Sequence, residues 1–289
     1  MKRRCPLGGR GSPPLSLLPL YMFTLAFVLV PFIYMILLSF MTRDGAWGVS
    51  RIWTLRNYLR IGAEEYRETF GQSLRLACSS TLITALVGYP FGYFMARLAA
   101  PWKQRVMLLL IIPFWTSSLM RLYGWIILFR ANGLLDALLR ALGLRDEPLR
   151  LLYNYPAVVQ GMSYALLPFM IYAVYSSAEK LDRSLIEAAR DLGAPPLRAF
   201  LTVSFPLTLP GLFSGAVLTF IPSMGLFFVA DILGGNKVAL AGSLIHQQII
   251  RAHDWPFAAA LSVVLTALTG LCLCLYRRIS RSPELEGLI

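Results

Sequence analysis

The sequence predicts an all-α integral membrane protein with six transmembrane helices. Three observations predict it. The 289-residue chain is 57% hydrophobic and only 15% charged, with mean hydropathy +0.62, whereas a soluble domain is nearer half apolar and a quarter charged. Six apolar runs are each long enough, at about 20 residues, to cross a bilayer core. Few charges fall inside those runs, so the ionised groups gather in the segments between them.

The first run, 17–41, follows the start "MKRRC". It is longer than the roughly 7–15 residues of a signal-peptide core, and no small-x-small cleavage site follows, so it reads as a true span. Residues 1–16, rich in Gly and Pro, read as a flexible cytoplasmic tail. The remaining spans are expected at 72–98, 106–129, 151–175, 204–229 and 257–276. The third contains Arg121, a charge that a span tolerates when a carboxylate, backbone carbonyls or packing hold it. Five spans carry an internal proline (Pro31, Pro90, Pro113, Pro168 and Pro222), each of which frees a carbonyl and permits a kink. In span five, Pro222 and Gly225 suit a bend beside a cavity. Cys78, Cys272 and Cys274 fall in apolar runs and read as small buried hydrophobes, with Cys5 in the tail. The whole is a six-span domain over 17–276, with a cytoplasmic loop at 176–203 and a C-terminal cytoplasmic tail at 277–289.

Six spans put both termini on one side. Lys and Arg are slightly more numerous on that side, and the "MKRR" start tips the assignment, so both termini should be cytoplasmic. The net charge of +12 then reflects topology and contact with lipid headgroups, and not nucleic-acid binding.

Several activities are excluded. None of the lysines (Lys2, Lys103, Lys180, Lys237) is followed by Ser or Thr, so a Walker A loop cannot form and the chain binds no ATP in one. There is no H-E-x-x-H. His246 and His253 share one expected external loop, where solvated or structural roles fit better than metal ligation. "QGMSYA" places Ser163 two residues after Gly161, as in intramembrane serine proteases, but the sixth span offers no His base. Gly161 and Ser163, among Ala157 and Ala165, read instead as a small-residue packing surface. No catalytic or metal-binding residue is expected.

One stretch between spans four and five is short, charged and helical. Ser184 with Glu187 makes a capping box, so a helix can begin at Leu185. Gly193 suits the left-handed position after a helix end, and Pro195 and Pro196 prevent continuation. Leu185, Ala188, Ala189 and Leu192 share one face, with Glu187, Arg190 and Asp191 on the other. A helix of about two turns is unstable alone in water, so it needs its own bundle or a partner to rest on.

Here the order of residues is specific. "EAARDLGAPPLRAFLTVSFP" resembles the EAA loop of ATP-binding cassette (ABC) importer permeases: Glu187, Ala188, Ala189, then Gly193, Val203 and Pro206 at the matching spacing. Phe205 departs, standing where the family usually has Leu. "GYPFGYFMA", "PFWTSSLMRLYGW", "LPFMIYAVYSSAEKLDRSLIEAARDLGA", "MGLFFVADILGG" and "DWPFAAA" extend the resemblance to the B-type permeases of spermidine/putrescine importers. The resemblance implies a type I importer fold in a bacterial inner membrane. It implies four kinds of partner: the bilayer, a C-type permease, an ATPase dimer that binds ATP and Mg, and an external substrate-binding protein. The short helix would then be the coupling helix, with Glu187, Ala188, Ala189 and Gly193 as the ATPase-coupling residues.

A polyamine needs carboxylates or aromatic faces. "PFWTSSLMRLYGW" supplies Trp115, Tyr123 and Trp125, and "MGLFFVAD" supplies Phe227, Phe228 and Asp231. Of these, Trp115, Tyr123, Phe227 and Asp231 are the candidate substrate path, with Asp231 at its mouth. Core packing or an interfacial belt is the competing reading of the aromatics. The same EAA loop also serves permeases for ferric ion, phosphonates or opines, so another cargo stays open. A secondary transporter would want acids within its spans, and this sequence has none there except at the edges.

Overall fold

The computed structural model describes residues 18–45, 48–143, 151–235 and 237–280. The expected tail at 1–16 lies outside these residues, as do 281–289 of the expected C-terminal tail. The chain opens with α1 (Leu18–Ser39), then a two-stranded antiparallel hairpin of β1 (Thr42–Asp44) and β2 (Gly48–Ser50), in which Thr42 pairs with Ser50. A short α2 (Arg56–Ile61) precedes the long α3 (Glu64–Arg97). Next come α4 (Ala100–Ile111), a 3-10 turn (Ile112–Trp115), α5 (Ser118–Phe129) and α6 (Leu134–Ala141). The second half holds α7 (Tyr155–Glu179), α8 (Arg183–Asp191), α9 (Pro196–Ala199), a π-helical turn (Phe200–Ser204) and α10 (Phe205–Gly225). It ends with α11 (Phe227–Gly234), α12 (Ala241–Ile250) and α13 (Trp255–Ser280).

Among the described residues, six helical stretches are long and apolar enough to cross a membrane: Pro19–Ser39, Glu64–Arg97, Ser118–Ala141, Tyr155–Glu179, Pro196–Gly225 and Trp255–Tyr276. All six expected spans overlap one of these, the third only over 118–129. The third is different. The run expected to be continuous over 106–129 breaks at the Ile112–Trp115 turn, and the spanning stretch begins at Ser118. Pro113 withdraws a backbone donor there, and Thr116 and Ser117 turn extended. Span five also ends earlier than expected: α10 stops at Gly225, Leu226 leaves helical geometry, and α11 starts afresh. Pro222 and Gly225 therefore mark a break where a bend was expected.

α3, α7 and α10 pack on one another and form the centre of the bundle. Small residues let them approach closely, as membrane helices require. A Cβ added at Gly92 would lie 2.7 Å from the Ile171 carbonyl oxygen, so α3 and α7 touch backbone to backbone there. Gly161 faces Leu233 and Val229, and Ser163 donates to the Ser80 carbonyl at 3.3 Å. The pair expected to be a packing surface is one. The cysteines depart from expectation: Cys78 and Cys274 are exposed and Cys272 half-buried. A span's outer face is as apolar as its inner face, so composition could not separate the two.

The segment expected as a loop over 230–256 is mostly helix. Leu240, Ala241 and Gly242 are buried, and Ser73 of α3 accepts the Ala241 N–H at 2.8 Å. Beside it, Arg60 donates to Asp254 at 2.9 Å while its guanidinium lies 4.0 Å from the Phe257 ring centre, tying α2 to α13. α1 rests on α13 and leaves most of its apolar surface uncovered. Surface of this kind is what a bilayer or a second membrane subunit covers.

Candidate functional site

α8 begins two residues before the expected start. Asp182, not Ser184, is its N-cap: the carboxylate accepts the Ser184 N–H at 3.0 Å. That backbone hydrogen bond, with a further one from the Ser184 side chain, holds the Asp182 carboxyl below its ordinary range. Glu187 is therefore not needed as a cap and stands exposed. At the far end Gly193 takes φ +83° and Ala194 donates to the Ala189 carbonyl at 3.1 Å, the left-handed stop that the sequence predicts. Pro195 caps α9, and Pro196 is its first residue.

The expected apolar face of α8 is split. Ile186 and Ala189 are half-buried, whereas Leu185, Ala188 and Leu192 are exposed, Leu192 by 90%. Glu187, Ala188 and Gly193 are exposed as well.

Beneath α8, the π-helical turn leads into α10. Tyr89 and Tyr93 of α3 stack at 6.2 Å, and Phe200 and Phe205 meet them edge-on. The Tyr89 and Thr208 hydroxyls lie 2.8 Å apart. Phe205, the departure from the family pattern, has its ring 5.5 Å from that of Tyr89. This aromatic joint, which the sequence reading missed, links the segment after α8 to α3 and α10. Tyrosines four residues apart in a span were its only trace in the sequence.

The candidate path residues fall into two groups. Trp115 is 83% exposed at the turn before α5, and Tyr123 is exposed on α5. Phe227 and Asp231 are half-buried on α11, against α12. Ser243 donates to Asp231 at 2.8 Å, and His246 lies parallel to the Phe227 ring at 4.6 Å. Among the described residues no hydrogen bond, ion pair or ring contact joins the two groups. Ser243 was missed, and His246 was given only a solvated or structural role, because their segment reads as a loop. Arg121 finds no carboxylate among the described residues; its guanidinium sits 4.5 Å from the Phe114 ring centre and donates to Ser118 at 3.1 Å.

Comparison with known proteins places this geometry. Residues 88–282 match the family described as binding-protein-dependent transport system inner membrane component. The chain belongs to that family. The spermidine/putrescine transport system permease protein PotB of Escherichia coli (strain K12) is 45% identical over 255 residues, which cover 88% of this chain and 93% of that one. PotB of Haemophilus influenzae (strain ATCC 51907 / DSM 11121 / KW20 / Rd) is 40% identical over 264 residues, covering 90% and 92%. The fold is that of a solved bacterial alginate ABC transporter in complex with an alginate pentasaccharide-bound periplasmic protein: TM-score 0.75, 14% identity, 92% of each chain covered. The stretch shared with the transport family contains α8, the aromatic joint and α11, while α1, the hairpin and α2 lie before it.

Proposed function

We propose that this chain is a permease subunit of an ABC importer that carries polyamines such as spermidine and putrescine into the bacterial cytoplasm. The observation that carries the reading is the 45% identity to PotB across 88% of the chain. The uncovered α8, with the EAA pattern on it, supports it further.

In this reading α8 seats in a groove of the ATPase dimer, which binds and hydrolyses ATP with Mg. Closure of that dimer moves α8, and the aromatic joint passes the movement to α3 and α10. A C-type permease completes the pathway, and an external binding protein delivers the cargo. Both termini and α8 face the cytoplasm; α12 faces outward. At the outer end, Asp231 offers a carboxylate oriented by Ser243, and Phe227 offers a ring face. Trp115 and Tyr123 offer further faces from the other side of the pathway. A partly dehydrated ammonium gains roughly 0.5–2 kcal/mol over such a face and Coulomb attraction from a carboxylate.

The test is uptake of labelled spermidine into vesicles holding the chain with its neighbouring permease and ATPase, loaded with MgATP and given the binding protein outside. Uptake that needs all components is expected. Transport of ferric ion, a phosphonate or an opine in place of a polyamine would retain the permease and reject the cargo.

A further inference from the structure

α4 and the turn after it are joined to α7 at three levels. Nearest α8, Lys103 donates to Glu179 at 2.7 Å, and the Lys103 amine lies 5.6 Å from the Tyr175 ring centre. One turn further along α4, the Met107 carbonyl accepts from the Tyr172 hydroxyl at 3.2 Å. In the 3-10 turn that follows, Phe114 meets Phe169 edge-on at 6.1 Å. The segment therefore runs antiparallel to α7, from Glu179 back to Phe169. Glu179 is the last residue of α7 and stands three residues before Asp182, the cap of α8. The turn ends at Trp115. A line of contacts thus leads from the approach to α8 to the exposed Trp115 ring, along a helix that is not one of the six spanning stretches. This line is separate from the aromatic joint, which leads to α3 and α10.

The two charges are not placed to serve their own helices. Lys103 lies near the start of α4 and Glu179 at the end of α7, each at the helix end whose partial charge has its own sign. An exposed pair also adds little to stability, and the Glu179 side chain is 45% exposed. Val106, Met107 and Leu110 already pack α4 against α3 and α7. The fold gains little from the pair. What the pair does fix is where the start of α4 stands relative to the end of α7.

We propose that Lys103 and Glu179 are positioning residues for transport: their pair fastens α4 to the end of α7, so that movement of α8 reaches the Trp115 turn. This rests on the reading of α8 as the ATPase-docking helix and gives that movement a second route, toward a candidate path residue.

The experiment uses the assembled importer in vesicles, with MgATP inside and the binding protein outside. Spermidine uptake and ATP hydrolysis are measured together. Lys103→Glu and Glu179→Lys should each lower spermidine taken up per ATP hydrolysed about fivefold, with the amount of complex unchanged. The double swap, Lys103→Glu with Glu179→Lys, should restore the ratio to within about twofold. Lys103→Gln brings no like charges together; it should lower the ratio about threefold and decides the matter where a reversal does not assemble. Native ratios in the single variants overturn the proposal. So does a double swap no better than either reversal. Uptake and hydrolysis falling in equal proportion also overturns it, leaving the pair a structural role. In all three cases the docking reading stands. Failure of the native chain to retain the ATPase overturns both.

Discussion

At Asp231 the carboxylate stands half-exposed with Ser243 donating to it, so one of its lobes is oriented and the other remains available. Asn at this position preserves shape and removes charge. Asp231→Asn should slow uptake per assembled complex between about ten- and about a hundredfold, in line with the roughly 1.5–3 kcal/mol of hydrogen bonds to charged groups. Trp115→Leu should slow it less, because so exposed a ring holds little of the fold. Uptake by reconstituted vesicles, normalised to ATPase content, measures both; unchanged rates in both would take these residues off the path. Asp182 carries a second prediction at this scale. Its carboxyl is held low because the folded helix bonds to the anionic form. The stabilisation is thus full above the unfolded carboxylate value and fades as pH falls through the lowered folded one. Protection of the Ser184 amide from hydrogen exchange should be flat at neutral pH and fall below about pH 4, after correction for intrinsic rates. Asp182→Asn caps without titrating, so its profile should stay flat; a fall like the native one would assign the effect to another group.

The elements that sequence could read are those with a strong local signal. α8 ends where Gly193, Pro195 and Pro196 require, and its start was missed by two residues because an Asp two places before Ser184 makes the tighter cap. The four continuous spans needed only apolar length. α11 and α12 were illegible for a physical reason. Each is about two or three turns, and their burial comes from packing on α3, α7 and α10 with no amphipathic period of its own. The break before α5 was hidden similarly, since Pro113 is compatible with a kink or a stop and only the extended Thr116 and Ser117 decide it. The aromatic joint depends on contacts more than a hundred residues apart, which no local pattern carries. Gly193 tests the element directly. Nothing lies within 4 Å of a Cβ built there, so substitution brings strain without a clash. Gly193→Ala should cost about 1–2 kcal/mol at φ +83°, reorient the segment after α8 and lower coupled uptake severalfold. Gly193→Asn, which tolerates the left-handed region, should retain more. Equal loss in the two variants would show that the left-handed stop is not what matters.

Over the whole molecule, the pattern of cover separates two ends of the bundle. At one end α2, α12 and the start of α13 are fastened by the Arg60–Asp254 pair and by the contact of Ala241 with Ser73. At the other, α8 and α9 are open, with Leu192 and Leu197 exposed by 90% and 71%. Six crossings place α8 on the side of both termini, opposite the hairpin and α12. In the proposed function, cargo comes from an external binding protein and energy from a cytoplasmic ATPase, so the open end is expected inside. The "MKRR" start agrees, since cytoplasmic segments are enriched in Lys and Arg. The orientation can be measured by single-cysteine labelling. The native thiols must be removed first, because Cys78 and Cys274 are exposed. In that background, Arg51→Cys, one residue beyond the hairpin, should react with a membrane-impermeant maleimide in intact cells. Arg198→Cys on α9 should react only in inverted vesicles, and should be shielded there when the ATPase is docked. Labelling of Arg198→Cys from outside intact cells would reverse the assignment of α8, and with it the side from which the ATPase could act.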